Sequence, residues 1–90
     1  MNITFYSSPD TVARCLKIGA KINGFITQDA YHSPEQRRAY FTKRGLDGSI
    51  LITLNGDNEK TFLRMQFDNR EDLLIDGWNK TIRYCRSTIP

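Results

Sequence analysis

The sequence predicts an α+β fold, a two-layer sandwich in which helices pack on one face of a mainly antiparallel sheet of three or four strands. Residues 49–54 and 60–67 alternate between the two sides of a strand, and Asn55-Gly56-Asp57-Asn58 between them is typical of a hairpin turn. Two other stretches, near 9–22 and 71–85, repeat apolar residues every three or four positions. Both apolar sets become buried if the helices cover one face of the sheet.

The length and composition favour one domain over residues 1–90. Ninety residues with 39% hydrophobic and 26% charged residues are typical of a small globular protein. No apolar stretch approaches the roughly 20 residues that cross a bilayer, and the N-terminus lacks the basic and apolar segments of a secretory signal. With only two cysteines, the expected location is a reducing cytoplasm, away from membranes.

The first two elements are a strand and a helix. Residues 2–6 alternate and are rich in strand-forming types, with Ile3 and Phe5 on one face. Ser8-Pro9-Asp10 predicts a helix start with Ser8 as the N-cap, and Asn23-Gly24 predicts its end after about Ile22. The apolar face of this helix has helical spacing. Its members are Val12, Cys15, Leu16 and Gly19.

The middle of the chain predicts a short strand, a loop and a second helix. Gly24 to Thr27 favour a short strand, and Gln28 to His32 a loop. Ser33-Pro34-Glu35-Gln36 has the pattern of a capping box with proline in the first turn. The helix that follows is short and basic, and Gly45 suits the position after its end.

A final helix follows the hairpin and completes the order β-α-(β)-α-β-β-α. Asp68-Asn69-Arg70-Glu71 predicts an Asp-type capping box at its start. Gly77 in mid-helix costs roughly 1 kcal/mol relative to alanine, which indicates close backbone packing or a local break. The predicted core face comprises Leu74, Ile75, Trp78, Ile82 and Cys85.

The charge is concentrated in the first half of the chain. Residues 1–46 hold seven basic and three acidic residues, a net +4, whereas residues 47–90 hold six basic and seven acidic residues, a net −1. Such clustering favours an anionic partner, because several cations on one side raise the local potential. The ordinary alternative is a solvated surface. The candidate partner-binding residues are Arg14, Lys17 and Lys21 on the first helix and Arg37, Arg38, Tyr40, Lys43 and Arg44 on the second.

The face of the sheet opposite the helices is a second candidate surface. Aromatic side chains beside an arginine can form a partner surface or a platform for single-stranded nucleic acid. A dimer partner or residues 23–32 would equally cover this face. The aromatic signature of RRM domains is absent from the sequence. The residues expected to point outward are Thr4, Tyr6, Leu51, Thr53, Phe62, Arg64 and Gln66.

The residues capable of catalysis or metal binding form no recognisable motif. Cys15 and Cys85 lie on core faces of helices and suit buried small side chains, although a bridge forms if their Cα atoms lie within about 7 Å. His32 together with Arg37, Arg38 and Tyr31 or Tyr40 would be needed for a metal-independent ribonuclease site. The spacing of Asp68, Asp72 and Asp76 suits the start of a helix. No cofactor and no metal are predicted.

The chain resembles the small phage-encoded inhibitors of bacterial immunity, in particular anti-CRISPR proteins. The resemblance covers the whole chain and rests on its size, its α+β layout and the paired Arg37-Arg38 and Lys43-Arg44. It implies binding without catalysis, at a nucleic-acid-binding surface of an effector complex. The element order is also similar to that of the ribosome-dependent messenger-RNA interferase toxins, which implies Arg, Lys and Tyr in catalysis.

The leading prediction is therefore a non-enzymatic binding protein, a monomer or dimer, that inhibits a host nucleoprotein complex. It would occupy an anionic or nucleic-acid-binding surface through the basic N-terminal half, with direct nucleic-acid contact as one form of binding. The alternatives are a small basic ribonuclease toxin and a plain protein interaction or dimerisation module.

Overall fold

The computed structural model describes residues 2–33, 35–69 and 71–89. Pro34 and Arg70, which the sequence assigned to two capping boxes, lie outside the described residues. The described part contains five strands and two helices: β1 (Asn2–Phe5), α1 (Pro9–Ile22), β2 (Phe25–His32), β3 (Gln36–Lys43), β4 (Ser49–Gly56), β5 (Thr61–Asp68) and α2 (Asp72–Thr88).

The five strands form one antiparallel sheet in the order β1-β5-β4-β3-β2. The helices pack against each other and cover one face, and the alternate residues of the strands on the other face are left uncovered. The α+β class and the antiparallel sheet are confirmed. The predicted three or four strands and the predicted element order are wrong, because the observed order is β-α-β-β-β-β-α.

Helix α1 forms as its sequence predicts. The Ser8 side chain accepts a hydrogen bond from the backbone N–H of Thr11, which satisfies one of the free donors of the first turn. Asn23 ends the helix, and its side-chain amide donates to the Gly19 carbonyl. All four residues of the predicted apolar face are buried.

The predicted second helix is wrong, because residues 36–43 form strand β3. Ser33 caps a hairpin turn instead of a helix: its backbone N–H donates to the Gln36 carbonyl, and its hydroxyl accepts from the Gln36 N–H. Ala39 and Phe41 are buried while Arg38 and Tyr40 are exposed, which is the two-residue period of a strand. Pairing with β2 and β4 on both sides stabilises this conformation over a local helix.

Strand β2 is longer than the sequence indicated. It takes in the predicted loop from Gln28 to His32 and pairs with β3 along its whole length. The register shifts between Asp29 and Tyr31, a β-bulge that places Tyr31 opposite Arg38. Strand β2 extends to His32 because residues 36–43 form a strand that pairs with it. The helix that was predicted for these residues would have given β2 no pairing partner.

The β4–β5 hairpin and α2 agree with the predicted elements. Helix α2 begins later than predicted, because Asp68 remains in β5 and Glu71 occupies the N-cap without a side-chain bond. Four of the five predicted core residues of α2 are buried, while Ile75 is partly buried. The Asp-type capping box is therefore wrong.

The core lies between the sheet and the two helices and is centred on Trp78. Its ring lies 4.9 Å from that of Phe41 and 6.0 Å from that of Phe25, and its indole N–H donates to the Met65 sulfur. Gly77 fits closely here, because a Cβ atom would lie 3.2 Å from the Phe25 ring. The expectation of close backbone packing at Gly77 is confirmed.

The two cysteines are paired across the helical layer. Cys15 of α1 and Cys85 of α2 form a disulfide with Cα atoms 5.8 Å apart, inside the limit for a bridge. Both residues are buried. The alternative that the sequence left open, a bridge between the two helices, is the one that the structure shows.

Candidate functional site

The sheet face turned away from the helices, called here the outer face, carries the candidate site. Side chains alternate between the two faces of a strand, so the antiparallel register decides which residues meet on this face. The outer face comprises Asn2 and Thr4 of β1, Ile26, Gln28 and Tyr31 of β2, Gln36, Arg38, Tyr40 and Thr42 of β3, Ser49, Leu51, Thr53 and Asn55 of β4, and Phe62, Arg64, Gln66 and Asp68 of β5.

Two arginines flank the centre of the outer face. Thr53 of β4 pairs with Arg38 of β3 on one side and with Arg64 of β5 on the other, so the three residues form one row across the sheet. Neighbouring strands lie about 4.8 Å apart, which separates the two arginine Cα atoms by about 10 Å. Guanidinium groups on long side chains at this spacing can reach one shared anionic group.

A depression of about 320 Å³ lies between these arginines. Its lining combines guanidinium and amide groups with the side chains of Thr53 and Leu51. Gln36 donates to the Asn55 side-chain oxygen at 2.8 Å, which orders one wall. The lining residues are Gln36, Arg38, Leu51, Thr53, Asn55, Arg64 and Gln66. Such donors suit phosphate oxygens and the polar edges of bases.

Neither Arg38 nor Arg64 has an ion pair or a side-chain hydrogen bond in the described part of the chain. Both side chains are exposed. The one carboxylate that the described strands place on this face is that of Asp68, four residues along β5 from Arg64 and therefore about 13 Å away. The two guanidinium groups are thus available to an anionic partner.

Exposed aromatic rings lie on either side of the arginine row. Tyr40 is 40% exposed and Phe62 is 51% exposed, and Tyr31 at the free edge is also open to solvent. The Lys60 ammonium lies 5.2 Å from the centre of the Phe62 ring. Lys60 is therefore a third cation near the outer face, on the Phe62 side of the arginine row.

The predicted cluster of Arg37, Arg38, Lys43 and Arg44 is divided by the strand. Arg37 points to the helical side, where its guanidinium lies 3.0 Å from the Asp10 carboxylate and its side chain is 16% exposed. Lys43 lies over the Phe25 ring at 5.0 Å, and Arg44 is exposed in the turn after β3. Of the four, Arg38 reaches the outer face, together with the predicted Tyr40.

The predicted basic stripe of α1 lies on the opposite layer from the outer face. Arg14 pairs with Asp10 at 3.1 Å, and Lys17 pairs with Asp29 of β2 at 2.8 Å. Lys21 is exposed and has no ion pair among the described residues. Since Asp29 neutralises Lys17 and Arg14 shares the Asp10 carboxylate with Arg37, the stripe is less suited to an anion than the outer face.

The residues weighed for a ribonuclease site do border one cavity, between α1 and the β2–β3 edge. Tyr31, His32, Arg37 and Arg38 contribute to its lining. The cavity measures about 20 Å³, enough for about one water molecule and too small for a nucleotide. Asp10 already neutralises Arg37 there, so this site is poorly suited to holding a phosphate.

The described residues contain neither a metal-binding cluster nor a membrane-spanning helix. Within 2–33, 35–69 and 71–89, no group of three or more His, Cys, Asp or Glu side chains is placed to hold a metal ion. Neither described helix is long and apolar enough to cross a bilayer.

The sequence identified most of the outer face and missed its β3 side. Thr4, Leu51, Thr53, Phe62, Arg64 and Gln66 were expected to point outward, and they do. Tyr6, expected with them, lies after the end of β1 and is exposed near Lys60. Gln36 was missed because residues 33–45 were interpreted as a helix. From Arg38 to Phe41, a small or apolar residue occupies every second position. This alternation is the sequence signal that indicates a strand.

Comparisons with known proteins give no match to this chain. No family model matches the chain. Neither the curated proteins nor the solved structures provide a match.

Proposed function

We propose that this protein is a non-enzymatic binding protein that holds an anionic partner on its outer face. The observation that supports this most directly is the pair of unpaired arginines, Arg38 and Arg64, on either side of a polar depression. Three cations of the helical layer, Arg14, Lys17 and Lys80, lie against carboxylates, whereas Arg38 and Arg64 have no ion-pair partner in the described residues. Charge-assisted hydrogen bonds to an incoming anion are roughly twice as strong as neutral ones.

An anionic partner suits this face better than a second copy of the chain. In a face-to-face dimer, Arg38 and Arg64 of one protomer would lie against the same cations of its partner. Desolvating like charges against each other costs free energy, and Asp68 alone offers a carboxylate on the described strands of this face. The dimerisation alternative is therefore disfavoured at this surface.

The resemblance to anti-CRISPR-type inhibitors suggests a setting for this activity. In the proposed mechanism, the protein inhibits a nucleoprotein complex of the host cell by occupying one of its surfaces. A cationic face is complementary to the nucleic acid or to an acidic protein patch of such a complex. It is not complementary to a basic groove that binds nucleic acid, since like charges repel.

The test is charge reversal on the outer face, with a matched control on the helical layer. The Arg38→Glu/Arg64→Glu variant and the control Arg14→Glu/Lys21→Glu undergo the same change in net charge. Binding to immobilised heparin, a generic polyanion, is measured as the salt concentration at which each protein elutes. We expect the outer-face variant to elute at clearly lower salt than the control, because only the former loses the binding surface.

Equal elution of the two variants would refute the proposal, since it would show that net charge alone governs the interaction. All four side chains are on the surface, so both variants should retain the circular dichroism spectrum of the parent protein.

A further inference from the structure

We infer that the anionic partner is an unpaired nucleic-acid strand, with a phosphate between Arg38 and Arg64 and bases stacked on Tyr40 and Phe62. The inference rests on the proposed function and deepens it, because it assigns the chemistry of the partner. It depends on the placement of the aromatic rings relative to the arginines.

Tyr40, Thr53 and Phe62 lie on one diagonal of the outer face. Tyr40 pairs with Leu51, two residues from Thr53 on β4, and Phe62 pairs with Asn55, two residues from Thr53 in the other direction. With about 4.8 Å between strands and about 3.3 Å per residue, each diagonal step is about 8 Å and the whole diagonal about 16 Å. A path of about 16 Å has room for a short run of nucleotides, with a base near each end and a phosphate between them.

The two arginines lie on either side of the midpoint of this diagonal. Both border the depression at Thr53, where the short side chain leaves room for a phosphate. The rings at the two ends are uncharged and exposed, which suits the faces of bases, although the Lys60 ammonium over the Phe62 ring must move aside for a base to stack there. A strand lying along the diagonal would thus contact aromatic, cationic and aromatic groups in turn.

The partner is single-stranded because stacking on a side chain requires an exposed base face. In a duplex, both faces of an internal base are covered by its neighbours, so Tyr40 and Phe62 could contact only the backbone or a terminal pair. The amides of Gln36, Gln66 and Asn55 lie beside the path and hydrogen-bond either base edges or phosphate oxygens. An acidic protein segment would use the arginines but would gain little from two separated aromatic rings.

The experiment measures the binding of fluorescein-labelled dT12 and rU12, and of a twelve-base-pair DNA duplex, by fluorescence anisotropy. The stacking variant is Tyr40→Leu/Phe62→Leu, which leaves the charge unchanged and keeps an apolar side chain at two exposed positions. Tyr84→Leu, on the helical layer, is the matched control. Stacking contributes about 1–3 kcal/mol per base, so the stacking variant should bind the single strands roughly 30-fold more weakly or worse.

The arginines give an independent measurement. For single strands the logarithm of the affinity falls with the logarithm of salt by about 0.7 per neutralised phosphate. The Arg38→Gln/Arg64→Gln variant should therefore have a salt slope shallower by about 0.7, the value for one phosphate held by both arginines, or by up to about 1.4 if each holds its own. An unchanged slope would overturn the phosphate assignment.

The outcomes separate this inference from the proposed function. If the stacking variant binds dT12 and rU12 as tightly as the parent protein, or if the duplex binds as tightly as the single strands, the inference is wrong. In that case, heparin elution that still depends on Arg38 and Arg64 would leave the proposed function standing, with an acidic protein surface as the partner. Should the double variant not fold, the single variants Tyr40→Leu and Phe62→Leu answer the same question, with a loss of about fivefold or more expected for each.

Discussion

Reduction of the Cys15–Cys85 disulfide is expected to cost this protein a large share of its stability. The bridge joins residues that are 70 positions apart. In the chain-entropy model, a loop of this length lowers the entropy of the unfolded chain by an amount that corresponds to about 4.4 kcal/mol at 25 °C. A small domain has a total free energy of unfolding of about 5–15 kcal/mol, so this is a large share.

The assay is urea denaturation with and without dithiothreitol, followed by Trp78 fluorescence. With a urea dependence of about 1–1.5 kcal/mol/M for a chain of this size, the midpoint should fall by roughly 3–4 M on reduction. A Cys15→Ala/Cys85→Ala variant is the control, because its midpoint should be the same in both conditions. A thiol assay verifies that the parent protein is fully reduced. If the midpoint of the fully reduced protein stays within about 0.5 M of that of the oxidised protein, the entropic reasoning fails.

Two further predictions concern residues away from the outer face. Arg37→Ala should lower the free energy of unfolding by about 1–2 kcal/mol, because the side chain loses its contacts with Asp10 and Ser33. Binding to heparin and to dT12 should remain unchanged. A loss of binding with intact stability would contradict this prediction. Gly48→Ala should cost at least about 2 kcal/mol, because φ is +107° and a Cβ atom would overlap the carbonyl oxygens of Asp68 and Asn69. Gly45→Ala is the control in thermal unfolding, because φ is +83° there but no atom lies within 4 Å of the new Cβ. If both variants lose the same free energy of unfolding, crowding is unimportant at Gly48.

The elements determined by local sequence signals were predicted well. Helix α1 has a Ser8 cap, a proline in the first turn and an apolar face of helical spacing, and these signals agree with one another. The β4–β5 hairpin has alternating strands around Asn55-Gly56, and the structure shows the same pairing. Where several local signals favour the same conformation, tertiary contacts do not change it.

The region from Ser33 to Arg44 shows where local signals fail. The capping-box pattern at Ser33 stabilises a turn, and a turn opens either a helix or a hairpin. Pairing with β4 favours the hairpin, because β4 places Ile50, Ile52 and Leu54 as buried neighbours beside the apolar residues of β3. That pairing joins residues nine to nineteen positions apart, so local propensity does not reveal it.

The same error affected the candidate site. On a helix, Arg37 and Arg38 would both belong to one basic surface, but on a strand they point to opposite faces. Arg38 could therefore be named from the sequence, whereas its separation from Arg37 could not. The pairing of Arg38 with Thr53 and Arg64 depends on register across three strands, which is determined by the assembled sheet.

The order of the strands has a consequence for the way this protein folds. Strands β2 to β5 follow one another along the chain and pair as successive hairpins, so each pairing closes a short loop. Strand β1 instead pairs with β5, and Asn2 lies opposite Arg64. Because closing this long loop costs more entropy, we expect the β3–β4–β5 hairpins, and with them the row from Arg38 to Arg64, to form before the N-terminal strand docks.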